Sequence, residues 1–228
     1  MNPVKETACP DTLAHMPLQI LHADDSLLVL SKPSGLLSVP GRGEDKQDCL
    51  SRRVQSLYPD ALVVHRLDMA TSGLMLMARG AAMQRAISLL FERREVHKRY
   101  VALVDGRLAP APTADGWGLI DQPIALDWPR RPLRIIDTAG KPSQTRWRSL
   151  ACDDAASRTR VELEPITGRS HQLRVHLLAL GHPILGDALY APDAVRIRSP
   201  RLLLHATALG LVHPATGALL SFESPPDF

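Results

Sequence analysis

The sequence predicts an α+β fold, built on a mixed and mostly antiparallel sheet flanked by helices and loops. Three observations carry it. Apolar runs of strand length come in adjacent pairs rather than alternating with helices. Helical periodicity is confined to a few stretches, and no glycine-rich nucleotide fingerprint follows any strand. With 228 residues, 45% of them hydrophobic and 22% charged, the chain has the make-up of one globular domain.

Taken in order, residues 1–16 read as a flexible tail and 17–228 as the folded domain. Leu18–Leu21 and Leu27–Leu30 are short apolar runs joined by a turn at Asp24-Asp25. A loop rich in Gly and Pro follows from Lys32 to Lys46. Asp48 is placed to cap a helix running to Leu57, which Pro59 closes. LVVHRLD enters a strand, HRLDMATSG turns, and GLMLMA leaves as the next strand. Residues 80–94 read as a helix, with Met83, Ile87, Leu90 and Phe91 on one face. KRYVALVDG, SQTRWRSL and RTRVELEPI have strand length and patterning, and the Pro- and Trp-rich stretch 106–133 reads as loops with a small side hairpin. His171–Leu180 is a helix stopped by Gly181, with Leu173, Leu177 and Leu180 on one face. A last hairpin turns at His213–Gly217.

Composition excludes several classes. No apolar run approaches the roughly 20 residues of a membrane span. The start, with Glu6 and Asp11, has no apolar signal core, so a cytoplasmic protein is expected. Cys9, Cys49 and Cys152 are odd in number and far apart, which suits neither a disulfide framework nor a zinc ribbon. His171 and His176 are five apart and no HExxH occurs, so no metal is expected. The net charge of +3 is modest, but most of the cations are arginine and recur in pairs: Arg52-Arg53, Arg93-Arg94, Lys98-Arg99, Arg130-Arg131. Such pairs suit one phosphate-binding face, or are ordinary surface charge. Aromatics, at 4%, are too few for an aromatic stacking sheet.

Three clusters hold groups with chemical capacity. In His65-Arg66-Leu67-Asp68-Met69-Ala70-Thr71-Ser72-Gly73 an arginine and a carboxylate sit two residues apart in a loop between strands. Reactive groups favour such loops, yet Asp68 equally suits a plain Asx-turn. In Thr167-Gly168-Arg169-Ser170-His171-Gln172-Leu173-Arg174 a glycine turn opens a helix whose N-terminus attracts anions. Alternatively Ser170 is a simple N-cap and Arg169 and Arg174 are solvated. Lys98-Arg99-Tyr100 places one of only three tyrosines between cations and a strand.

Together these clusters resemble the signature motifs of the RluA-type pseudouridine synthases. SKPSGLLSVPG at 31–41, LGHPILGD at 180–187 and PRLLLHA at 200–206 extend the likeness, in order, over roughly 18–228. No S4-like module is expected ahead of the catalytic domain. GLLSVPGR and the stretch Asp127-Trp128-Pro129-Arg130-Arg131-Pro132 are similar to a dual-specificity branch acting on large-subunit ribosomal RNA and the tRNA anticodon stem-loop, with Ser31 departing where that branch has Asn.

The resemblance implies a set of roles. Asp68 is the catalytic aspartate, Arg169 the arginine paired with it, and Tyr100 the residue that stacks on the target base and takes its C5 proton. Arg66 fills the gap left by the flipped uridine, and Leu173 floors an apolar pocket. His65, Thr71, Lys98, Arg130 and Arg131 complete the expected substrate contacts. No cofactor is implied, and a monomer acting on rRNA and tRNA stem-loops is expected. Two rivals stand beside this. A glycoside hydrolase needs a second carboxylate about 5–10 Å away, where these motifs supply arginine and tyrosine. A non-catalytic RNA-binding protein needs only the basic pairs and gives Asp68 no purpose.

Overall fold

The computed structural model describes residues 17–228, so the expected tail at 1–16 lies outside the described residues. In chain order the strands are β1 (Gln19–Ala23), β2 (Leu27–Lys32), β3 (Ala61–Val63), β4 (Ser72–Arg79), β5 (His97–Asp105), β6 (Gly118–Asp121), β7 (Ile124–Leu126), β8 (Arg134–Ile136), β9 (Gln144–Asp153), β10 (Arg158–Pro165), β11 (Leu204–Val212) and β12 (Leu219–Glu223). The helices are α1 (Leu50–Gln55), α2 (Gly80–Glu92), α3 (Gln172–Ala179) and α4 (Asp193–Arg196). The fold is α+β. The described residues divide into two compact units, 17–98 with 205–227 and 99–204 with Phe228.

In the first unit the strands run β1-β2-β4-β11, with β3 paired to β4 and β12 to β11. Asp24 makes the β1–β2 turn, its Oδ1 accepting the N–H groups of Ser26 and Leu27 at 2.7 and 2.8 Å. Leu27–Leu30 are fully buried because β2 lies between two neighbours and is covered on both faces. It pairs antiparallel with β4 from Leu27↔Ala78 to Lys32↔Gly73. Leu28, Leu30, Leu36, Leu50, Val54, Ala61, Met75 and Met77 form one core cluster. Truncating any of these leucines to Ala should cost about 2–5 kcal/mol. β4 meets β11 in parallel at Gly73↔Ala206. Gly73 has φ 109°, and a Cβ there would lie 2.3 Å from the Ala206 carbonyl oxygen, so only glycine permits this approach.

The strands of the second unit run β5-β10-β9-β6, and β7 and β8 form a separate two-stranded hairpin. β10 alternates strictly: Thr159, Val161 and Leu163 are buried, while Arg158, Arg160, Glu162 and Glu164 face outward. The outward row is laced by Arg146–Glu164 at 3.0 Å and Arg148–Glu162 at 2.5 Å. The helix α3 packs against β8, β9 and β10.

Several expectations are corrected. Asp48 does not cap α1; Cys49 holds the N-cap position, and the Asp48 carboxylate is taken by Arg53 at 2.5 and 2.7 Å. The α3 N-cap is His171, in the left-handed region at φ 58°, rather than Ser170. Arg174 is 1% exposed rather than solvated. β6 lies within the stretch 106–133 read as loops with a side hairpin and pairs instead with β9, and α4 lies where no element was read. The side hairpin, the α2 span, the Gly181 stop and the turn after β11 match the reading. No helix among the described residues is long and apolar enough to cross a membrane.

Candidate active site

In the first unit, the Asp68 turn follows from one buried cation. Lys32 ends a strand that opens with four apolar residues, Leu27–Leu30, and is completely buried. Its ammonium donates to the carbonyls of Pro33 and Leu36 at 2.8 Å and of Met69 at 3.0 Å. An ammonium has three protons, and these acceptors match them. Ser34 Oγ donates to the Ala70 carbonyl at 2.7 Å, and Ser38 Oγ bridges both sides of Leu67, donating to its carbonyl at 2.7 Å and accepting its N–H at 3.1 Å. Thr71 N–H closes the turn onto the Asp68 carbonyl at 3.1 Å, and Thr71 is itself buried. The backbone is therefore fixed on both sides of Asp68 by the segment 32–38. Asp68 is half-buried, Leu67 buried and Arg66 exposed.

His65 anchors the other end. Its Nε2 accepts the Leu76 N–H at 2.8 Å, and its ring stacks on Phe91 with centroids 4.6 Å apart. Burial, aided by the charge of Lys98, pushes its pKa down to about 3, so the ring is a neutral acceptor at ordinary pH. Lys98 lies over the same Phe91 ring at 5.8 Å, and burial lowers its pKa also. Behind the turn Ser72 Oγ meets His205 Nδ1 at 2.9 Å.

In the second unit Gln172 organises the Arg169 turn. Its Oε1 accepts from Thr167 Oγ1 at 2.7 Å and from the Arg169 N–H at 3.0 Å. Its Nε2 donates to the Gln144 carbonyl and to Thr145 Oγ1, both at 2.9 Å. All four hydrogen-bonding positions of the amide are used. Thr145 Oγ1 donates to His176 Nδ1 at 2.9 Å, and His176 Nε2 donates to the Gln122 carbonyl at 3.0 Å. Burial lowers the His176 pKa, against the pull of that carbonyl bond. The Arg169 side chain is exposed, its guanidinium 3.4 Å from the Pro142 carbonyl.

The other side of this turn rests on a buried ion pair. Arg174 and Asp187 meet in a two-pronged contact, Nη2–Oδ1 at 2.6 Å and Nε–Oδ2 at 2.9 Å, both side chains excluded from solvent. Arg174 lies 5.1 Å from the centre of the Tyr190 ring. The Tyr190 hydroxyl accepts the Arg134 N–H at 2.9 Å and is thereby placed to donate to His171 Nδ1 at 2.6 Å. His171 thus holds its left-handed backbone two residues after Arg169.

Tyr100 stands opposite Leu163 in the β5–β10 register and is half-buried. Residues opposite one another share a face, so Tyr100 lies on the buried face that carries Leu163. Leu173, 7% exposed, is on α3. Arg130 and Arg131 are exposed at the tip of the β7–β8 hairpin. Among the described residues no group of three or more His, Cys, Asp or Glu is arranged to hold a metal ion.

A family model for RNA pseudouridylate synthases matches residues 26–179, two thirds of the chain and both turns. The chain belongs to the RNA pseudouridylate synthase family. It is 51% identical over 214 residues to the dual-specificity RNA pseudouridine synthase RluA of Escherichia coli K12, covering 92% of this chain and 94% of that one. The enzyme of the same name from Pasteurella multocida is 47% identical over 212 residues, with the same coverage. Among solved structures, human RNA pseudouridylate synthase domain containing 1 aligns with a TM-score of 0.74 at 28% identity, over 93% of this chain and 84% of that one. A pseudouridylate synthase is an isomerase acting on RNA, so the two rival classes fall.

The chemistry-bearing residues thus sit in two sets. Arg66, Asp68 and Thr71 share the first-unit turn, with His65 and Lys98 meeting at Phe91; Tyr100, Arg169, Leu173, Arg130 and Arg131 belong to the second unit. Sequence reasoning missed the residues that brace both turns. Lys32 is signalled only by being a lysine that ends an apolar strand without an acid nearby. Gln172 joins its own turn, at Thr167 and Arg169, to Gln144 and Thr145 far back in the chain, and Asp187 meets Arg174 thirteen residues away, so neither role shows in the local pattern.

Proposed function

We propose that this protein converts specific uridines to pseudouridine in stem-loops of large-subunit ribosomal RNA and of the tRNA anticodon arm. The observation that carries the substrate assignment is its likeness, across 92% of its length, to an enzyme named for dual specificity. The isomerisation breaks the N1–C1′ bond and forms C5–C1′. One proton leaves C5 and one is taken up at N1, so the step is redox-neutral, and the protein works as a monomer in the cytoplasm without cofactor or metal.

Within this reading the Asp68 carboxylate acts at the sugar, as nucleophile or as base. A turn braced from both sides suits that role, because a misplaced reacting atom loses much of the rate. Arg169, exposed at its own turn, supplies the cation this chemistry needs. Tyr100 stacks on the uracil and receives the C5 proton. Arg66, exposed beside Asp68, fills the space left when the uridine is flipped, a step costing a few kcal/mol. Leu173 supplies apolar surface that keeps water from C1′. Thr71 and His65 shape the Asp68 turn from within, while Lys98, Arg130 and Arg131 contact RNA phosphates.

The test uses purified protein with two transcripts, a large-subunit rRNA domain and a tRNA. Primer extension after pseudouridine-specific carbodiimide labelling should show new stops in both. A stop in only one RNA restricts the enzyme to that substrate, and none in either contradicts the assignment.

A further inference from the structure

Trp128 is 67% exposed at the tip of the β7–β8 hairpin. The other two tryptophans are not so placed: Trp147 is 8% exposed in the core, and Trp117 is half-buried with Arg99, Arg146 and Arg148 around its ring. A large aromatic left open to water is the informative case, since burying it would be favourable.

The tip is built to hold that ring still. Asp127, 6% exposed, accepts the Arg130 N–H at 3.2 Å and Arg130 Nε at 2.7 Å. Its own N–H donates to the Leu133 carbonyl at 3.0 Å, and the Leu133 N–H returns to the Arg130 carbonyl at 3.0 Å. One residue on, the Arg134 N–H is tied to the Tyr190 hydroxyl. Trp128 therefore projects from a closed turn. The Arg131 guanidinium lies 5.0 Å from the ring centre and backs the indole, while Arg130 and Arg131 are both exposed beside it. The only acid in this turn, Asp127, is buried and spent on Arg130.

A flat π-surface backed by Arg131, with the exposed Arg130 paired to Asp127 in the same turn, fits a polyanion that also carries flat rings. We propose that Trp128 stacks on an unpaired loop base of the substrate RNA, other than the reacting uridine, with Arg131 behind the indole and Arg130 toward the adjoining phosphate. The proposal rests on the RNA-modifying reading above and adds to it a contact that selects loop structure. Stacking tolerates any base, so this contact reads the presence and position of an unpaired nucleotide rather than its identity. An acidic peptide would use the two cations without needing the ring.

The test measures stem-loop affinity at fixed salt for the parent, Trp128→Phe and Trp128→Ala. The alanine variant should bind about 5- to 150-fold more weakly, the range that base–aromatic stacking spans, with Phe retaining most of the affinity. Stem-loops carrying an abasic site at each loop position in turn locate the partner base. At one position the abasic penalty should vanish in Trp128→Ala, the non-additivity of a direct contact. Indole fluorescence that is quenched by RNA in the parent, and not in Trp128→Phe, marks the same contact. Trp128→Ala affinity within about twofold of the parent, or penalties additive at every position, overturns the proposal. Pseudouridine formation by the parent on the same RNA is read separately: its absence overturns the enzymatic reading and the contact with it, whereas turnover with an insensitive Trp128 overturns the contact alone.

Discussion

Lys32 Nζ donates to the Met69 carbonyl at 3.0 Å, tying the end of a buried strand to the residue that follows Asp68. The two residues are 37 apart in sequence. The bond turns a flexible loop into a fixed mount for the carboxylate.

Lys32→Met should therefore damage both stability and turnover. Losing charged hydrogen bonds that leave buried carbonyls unpaired costs about 1–3 kcal/mol per group, so a loss of several kcal/mol is expected in urea unfolding. At a temperature where the variant remains folded, its turnover should still fall at least about tenfold, because the Asp68 backbone is no longer held. Wild-type turnover by folded Lys32→Met would show that the brace serves stability only.

The Arg174–Asp187 pair makes a sharper claim on stability. Asp187→Asn leaves Arg174, 1% exposed, without its counter-charge, and breaking such a pair costs about 3–5 kcal/mol. Replacing both residues by apolar side chains should be milder than the single change. A single variant that melts like the parent would contradict this.

How much of this was legible in the sequence follows from where the partners lie. The β2–β4 strands and α2 could be read because their apolar spacing is local and strong. β6 was missed because Gly118 and the Pro-rich stretch around it mask an edge strand that only pairing with β9 defines. Asp48 looks like a helix cap until Arg53, five residues on, takes its carboxylate. Arg174 reads as solvated because nothing near it announces Asp187. The HRLD and GRSHQLR turns were found as motifs, but the bracing roles of Lys32 and Gln172 were not, since each depends on a bond to a distant segment, Met69 for Lys32 and Gln144–Thr145 for Gln172.

Acid should destabilise the fold well before carboxylates are neutralised. His65 has a folded pKa of about 3, against about 6.5 in the unfolded chain. Between those values the unfolded state binds the extra proton, so stability is complete above about pH 6.5 and falls as pH drops toward 3. The buried His176, its pKa also lowered, adds in the same direction. Each contributes a slope of up to about 1.4 kcal/mol per pH unit. Urea midpoints at pH 7 and pH 5 should differ accordingly, and less so in His65→Gln. Equal slopes in parent and variant would remove His65 from the account.

Tyr100→Phe separates the ring from the hydroxyl. The ring retains stacking, while loss of a general acid–base group typically costs 10²–10⁴-fold. Single-turnover rates should drop by about that order with RNA affinity nearly unchanged. A wild-type rate would reassign the C5 proton to another acceptor.

The most direct measurement is pseudouridine formation by Asp68→Asn on a stem-loop that the parent modifies, alongside its affinity and melting temperature. Asparagine keeps the size and the turn geometry but cannot act as the carboxylate. No product above background, with near-parental binding and stability, is the predicted result. A clean variant retaining even a few per cent of the parental turnover would contradict the assignment of Asp68 as the catalytic group.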